Sequence, residues 1–381
     1  MNPFIFMCLV ACINGMRIPL KEDLEIENEL KVINKVPIKS IHTEFGYIVD
    51  CIDINNQPAF KHPLLTNHKL QKNPNLRTTI RNNRKNSVNS STKATFGLQN
   101  DNCPIGTVPV RRATKEDLIR GKSYFNNGLV DHIHGNHYAE VLSDAERGES
   151  FVGVYGTTSI YSVSVTNDQS SSAVMYIRNG PDSTNYIGMG WHVAPQLYND
   201  NATHFYVVWT TDNFKNTGCF NLQCSGFVQT NTKNYLGGRF VDTSVIDGQM
   251  IDMTISIVQN RETKNWWVTF ENDMIGYFPA SLFPNTPFLQ VGWGGRTSNT
   301  QGGPSPPMGS GRFPIDDKYN HASYFIRIQF QYSSTNTSPE NSLIQILSDK
   351  PNCFYAKYFD RNFEDFGYSL QFGGPGGNCD D

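Results

Sequence analysis

Downstream of residue 137, apolar and polar positions alternate in short runs broken by Gly, Asn, Asp and Pro. Ile251, Met253, Ile255 and Ile257 alternate with Asp252, Thr254 and Ser256, and Ile326, Ile328 and Phe330 with Arg327, Gln329 and Gln331. A period of two sends successive side chains to opposite faces, so each run predicts a strand with one buried face. Strand composition recurs at 159–165, 173–178, 204–211, 250–258, 265–270 and 323–332, with no long helical pattern between the runs. Strands without crossover helices predict an all-β fold: an antiparallel β-sandwich of two curved sheets, with a barrel as the other closed solution.

Two further strands break the pattern with glycine. One contains Ile187-Gly188-Met189-Gly190-Trp191-His192, the other Val291-Gly292-Trp293-Gly294-Gly295-Arg296. Glycine weakens a strand unless a backbone or a ligand must come close, so a matched pair predicts a groove with a bare backbone floor. The rival explanation is that Trp191 and Trp293 are core residues and the glycines relieve crowding. Strict alternation puts Gly188, Gly190 and His192 on one face and Trp191 on the other, and likewise Gly292, Gly294 and Arg296 opposite Trp293. The Trps then back the groove, unless a bulge at the glycines turns them into it.

The first 130 residues differ in texture. An apolar run from Pro3 to Ile13 has the length of a secretory signal core, so residues 1–16 are expected to be a signal peptide, although no Lys or Arg precedes the run. Residues 17–128 read as a small mixed leader domain, with a short helix at 24–30 and a strand around Ile48. A flexible basic linker lies near 73–99, and residues 129–381 form the sandwich. The linker lacks interleaved aromatics and the net charge is only −3, which argues against nucleic acid as a partner. No later run is apolar for long enough to span a bilayer.

Outside the signal six cysteines remain, most simply paired as neighbours: Cys51 with Cys103, Cys219 with Cys224, and Cys353 with Cys379, among fifteen possible connectivities. Asn89, Asn201 and Asn336 begin glycosylation sequons. Both features fit a secreted or extracellular product. No CxxC pair recurs, so no metal is expected, and nothing in the chain asks for a cofactor.

The segment 209–231 (WTTDNFKNTGCFNLQCSGFVQTN), together with Asn265-Trp266-Trp267, Gly276-Tyr277-Phe278-Pro279 and Met308-Gly309-Ser310-Gly311-Arg312, closely resembles the plant neprosin family. Val49-Asp50-Cys51-Ile52-Asp53, Gln57-Pro58-Ala59-Phe60 and His62-Pro63-Leu64-Leu65 resemble its activation peptide. The resemblance implies a secreted, zymogen-like layout and a sandwich related to glutamic peptidases; cell wall and vacuole are both open as ends of the secretory route. In active relatives two glutamates cleave peptide bonds at acidic pH with a preference for proline. Such chemistry needs one ionised carboxylate to take a proton from water and one protonated carboxylate to donate.

The family pattern resembles Ile-Glu-Ala-Gly-Trp where this chain has Ile187-Gly188-Met189-Gly190-Trp191, and Trp-Gly-Gly-Glu where it has Trp293-Gly294-Gly295-Arg296. A further acidic position before the second Trp is Gly292. The expectation is therefore a chain without catalytic residues, with Gly188 and Arg296 at the family's catalytic positions. Its ligand groove of Gly188, Gly190, Trp191, Gly292, Trp293 and Arg296 would hold an extended peptide or protein segment, Pro-rich by analogy.

Other groups are weaker candidates. His192 lies about 13 Å along its strand from position 188 and cannot replace that carboxylate, and the amide of Gln290 cannot activate water. Asp182 and Asp200 read as turn residues. Ser310 lacks a nucleophile's strand-to-helix setting. His132, His134 and His137 mark the leader junction. Two rivals stand beside the binding role: an active acid prolyl endopeptidase using unassigned carboxylates, and a structural, cell-wall-associated protein.

Overall fold

The structure, a computed structural model, describes residues 17–72, 74, 91–99, 101–128, 136–179, 184–284, 287–299, 303–333, 336–337, 343–360 and 366–379. The expected signal peptide, most of the basic linker with Asn89, the histidines at 132 and 134, and Asp182 lie outside these residues.

The leader holds helix α1 (Arg17–Ile33), strands β1 (Lys39–His42), β2 (Ile48–Asp53), β3 (Ser91–Lys93) and β4 (Thr107–Arg111), and helix α2 (Lys115–Gly128). α1 is longer than the helix the sequence suggests at 24–30. β1, β2 and β4 form a three-stranded sheet in that order. Ile26 and Ile33 of α1, Ile52, Val108, Val110 and Leu118 of α2 bury a small core of their own.

The body continues with β5 (His137–Asp144), β6 (Phe151–Ser159), β7 (Gln169–Arg178), β8 (Tyr186–Val193), the short helix α3 (Pro195–Tyr198), β9 (Thr203–Thr210), β10 (Cys219–Phe220) and β11 (Val228–Gln229). It ends with β12 (Met250–Gln259), β13 (Trp266–Phe270), β14 (Asp273–Phe278), β15 (Gln290–Asn299), β16 (Ser323–Tyr332), β17 (Asn336–Thr337), β18 (Ile344–Ser348), β19 (Tyr355–Phe359) and β20 (Ser369–Gly373). One sheet runs β10-β9-β8-β7-β15-β5-β18; the other runs β11-β14-β13-β12-β6-β16-β20-β19, with β17 on β16 and β3 on β12. Within the body every pairing is antiparallel; β3 of the leader is parallel to β12.

The core lies between the sheets. Met253, Ile255 and Ile257 of β12 meet Ala173, Met175, Ile187, Met189, Val207 and Val291 of the facing sheet. Alternation in β16 is interrupted where the register shifts between Ile326 and Gln329 and Arg327 takes a φ of 52°. That bulge lets Phe325, Ile326 and Ile328 all be buried. The three disulfides are Cys51–Cys103, Cys219–Cys224 and Cys353–Cys379. Among the described residues no helix is long and apolar enough to cross a membrane.

Candidate functional site

β8, β7, β15 and β5 lie side by side, and their register fixes what can meet. Gly188 stands opposite Tyr176, which stands opposite Gly292. Two residues along, Gly190, Val174, Gly294 and Glu140 form the next level, and His192, Ser172, Arg296 and Tyr138 the one after. All lie on the face turned away from the partner sheet.

The pairings of β8 and β15 run without a register shift, so parity holds and both Trps point between the sheets. Trp191 donates its indole N–H to the Ser159 carbonyl at 2.7 Å, and Trp293 donates to that of Tyr155 at 3.0 Å, both on β6 of the other sheet. Neither ring lines the groove. Their expected place among the ligand-groove residues, which needed a bulge at the glycines, is corrected: no bulge turns them outward.

The bare glycine floor is corrected as well. A β-carbon at Gly188 would stand 2.7 Å from the Tyr186 ring, and one at Gly292 2.4 Å from the Tyr176 ring. These two rings stack with centroids 5.5 Å apart and cover both glycines. At Gly190 and Gly294 the close neighbour is protein backbone: a β-carbon would meet the carbonyl oxygens of Ala173 at 2.0 Å and Ala139 at 2.4 Å. Relief of crowding, the rival explanation, accounts for Gly190 and Gly294.

Gly188 and Arg296 share a face but not a level, being two strands (about 10 Å) across and four residues (about 13 Å) along. The position level with Gly188 is Gly292. Arg296 nevertheless reaches back over the stack, its guanidinium 5.2 Å from the Tyr176 ring centroid and 6.0 Å from that of Tyr186. There it donates to Glu140 at 3.2 Å. The Arg178 guanidinium lies 5.1 Å from the Tyr176 ring centroid and donates to Gln290, which itself donates to Asp144. Burial first, then the Glu140 carboxylate, push the Tyr176 phenol well above its ordinary range, so it stays neutral.

Beside the stack a cavity of about 380 Å³ opens, lined by Tyr186, Tyr206, Phe214, Phe220, Arg178, Arg296 and Glu140. Tyr124 of α2 closes one side, donating to the Ser170 hydroxyl at 3.0 Å. Among the described residues Glu140 is the single carboxylate on this lining, and it is paired.

His192 sits under the aromatic wall, 2% exposed, its Nε2 hydrogen-bonded to the Tyr198 hydroxyl and its ring stacked 4.2 Å from Tyr206. Burial, then His204, hold it well below its usual value, so it is a neutral packing group. Asp200 is more than a turn residue: it accepts hydrogen bonds from His204, the Ala202 amide and, across the leader boundary, the Tyr47 hydroxyl. Ser310 is buried in a turn, where its oxygen accepts from the Arg312 amide. His137 is buried against Asp349. Asn201 is exposed, and Asn336 lies in β17.

Sequence reasoning missed Tyr176, Tyr186, Tyr206, Arg178, Glu140 and Tyr124. Tyr186 had a usable signal, since it lies two residues before Gly188 and so on its face. Glu140 had none, because its strand carried no glycine or Trp marker.

The family description "Neprosin" matches residues 167–375, and "Neprosin activation peptide" matches residues 40–151. The second match runs through β5, a strand of the body, and ends at Phe151, the first residue of β6. Among solved structures, the chain is similar to Scytalido-glutamic peptidase with a peptide-based transition-state analog, at 12% identity over 63% of this chain and 98% of that one, with a TM-score of 0.37. It is also similar to SCP-B of the eqolisin family in complex with the tripeptide Ala-Ile-His, at 10% identity over 64% of this chain and 98% of that one, with a TM-score of 0.34. Carbohydrate binding module CBM66 from Bacillus subtilis matches at 7% identity over 46% and 91%, with a TM-score of 0.23. At these TM-scores the likeness carries no argument about the site.

Proposed function

Because the chain belongs to the neprosin family yet has Gly188, Gly292 and Arg296 where acidic residues are expected, we propose that it is a secreted, non-catalytic glutamic-peptidase homologue that binds an extended peptide. The supporting observation is the Tyr176–Tyr186 stack, which fills the space that side chains at 188 and 292 would need. General acid and general base catalysis needs a carboxylate pair, and the described lining offers Glu140 alone.

The ligand contact is aromatic rather than ionic. Arg296 is committed to Glu140 and two rings, so it neutralises the cleft more than it recruits an anion. Tyr186, Tyr206, Phe214 and Phe220 offer ring faces beside the cavity, a surface suited to proline rings of a polyproline II segment. Secretion is supported by three disulfides, and the exposed Asn201 suits a glycan.

The test is to incubate the protein with Pro-containing peptides from pH 3 to pH 7, following cleavage by mass spectrometry and binding by calorimetry. Binding without cleavage is expected. Turnover abolished by Glu140→Gln would overturn the non-catalytic reading, and failure to bind any member of a broad peptide array would favour a structural role. Gly188→Glu combined with Arg296→Glu is expected to stay inactive, because the two positions stand two strands across and four residues along from one another.

A further inference from the structure

The leader is separate in its small core but not in its middle. Residues 91–93 pair in parallel with the start of β12, Ser91 opposite Met250, Thr92 opposite Ile251 and Lys93 opposite Asp252. The backbone stays bound beyond the strand. Ala94 donates to the Asp252 carbonyl, Val241 to that of Thr95, Leu98 to that of Lys233 and Cys103 to that of Thr232. A β-carbon at Gly97 would stand 2.7 Å from the Lys233 carbonyl, so the chain lies directly against the body there.

The side chains follow. Phe96 is 1% exposed and belongs to the main core between the sheets. Its ring stacks on Phe205 at 4.6 Å and meets Phe270 edge-on at 4.6 Å and Phe240 at 5.5 Å. Lys93 sets its ammonium 2.9 Å from the Asp252 carboxylate, which is 3% exposed, and 3.6 Å from that of Glu271. Leu65 of the leader is also in the main core, and Gln57 bonds both backbone groups of Gln229. Among the described residues no disulfide joins leader to body.

We propose that the body is a receptor for its own leader: residues 91–99, which begin with β3, are a structural segment of the sandwich, and the leader stays seated as a noncovalent subunit after the chain is cut between Gly128 and Asn136. Departure would open a ring-sized void among Phe205, Phe240 and Phe270, unpair the start of β12 at Met250–Asp252 and leave Asp252 buried without its Lys. Departure is therefore opposed by the same forces that hold the sandwich together, and Tyr124 remains a wall of the cavity after processing. The inference is independent of what the cavity binds.

The test introduces a site-specific protease site between Gly128 and Asn136 of the full chain, cuts the folded protein, and separates it by size exclusion at neutral pH. The leader is expected to co-elute with the body in equimolar amount. Phe96→Ala should weaken its retention about a hundredfold, and Tyr124→Ala, which removes only the helix's contact with the cavity, should weaken it less. A wild-type leader that elutes apart from a folded body overturns the proposal, as does release by Tyr124→Ala but not by Phe96→Ala. Should Phe96→Ala fail to fold before cutting, the wild-type cut decides alone.

Discussion

At the scale of single residues, the four glycines that mark the site have two different reasons to be glycine. Gly190 is held by backbone: its missing β-carbon would overlap the Ala173 carbonyl, which a sheet in unbroken register cannot move aside. Gly188 is held by the end of a side chain, the Tyr186 ring, which turns on its own χ angles. Gly190→Ala should therefore cost about 3 kcal/mol and Gly188→Ala about 1 kcal/mol or less, as read from urea unfolding midpoints. Equal costs would mean that the ring is as immobile as the strand. The sequence shows that something comes close to each glycine, but nothing in it distinguishes a ligand from a neighbouring strand or ring. For that reason the expected bare floor was legible as close approach and illegible as to what approaches.

At the scale of elements, parity carried further than composition. Alternation placed Trp191 and Trp293 opposite the glycines, and the structure has them there, each spanning the sandwich to a carbonyl of β6. These two hydrogen bonds tie β8 and β15 to the same strand and hold the site's two halves in a fixed relation. Trp293→Phe keeps most of the apolar contact but leaves the buried Tyr155 carbonyl without that donor. It should cost about 2 kcal/mol in urea unfolding while peptide binding at the cavity is retained, since the ring does not face it. Loss of binding at unchanged stability would instead place the ring in the groove. The strands at 250–258 and 323–332 were legible from local alternation, and the one at 173–178 from its strand composition. β5 and β18, which flank the site on one side, were not, because their place beside β15 is set by long-range pairing rather than by their own pattern. Helix α2 escaped notice for a related reason: its apolar residues are few, and Tyr124 acquires its meaning only from the cavity it closes.

At the scale of the whole molecule, the leader and body are coupled through groups that titrate in acid. Burial alone would raise the Asp200 carboxyl, but hydrogen bonds from His204, Tyr47 and the Ala202 amide outweigh it and hold the group below the usual carboxylate range. Arg111 lies 4.0 Å from the Tyr47 ring on the leader side, and the buried His204 closes the body side. A carboxyl whose folded value is depressed contributes stability that is present above its unfolded value, near 4, and is lost as pH falls from there through the folded value. His192 acts in the same direction at higher pH. Its imidazole is held neutral in the fold and takes a proton on unfolding, so stability declines once pH drops below about 6.5. The intact chain should therefore lose stability in two stages on acidification, in contrast to the acid-active behaviour the family resemblance implies for relatives with both glutamates. Thermal midpoints measured from pH 7 to pH 3 should fall throughout. Asp200→Asn should make the decline below pH 4 shallower, the remainder belonging to His192 and to carboxyls such as Asp212 that hydrogen bonds also hold down, and leave the decline between pH 6.5 and pH 5 in place. If the variant instead flattens the upper range, the acid response belongs to a different group, and the Tyr47–Asp200–His204 bridge is not what couples leader to body.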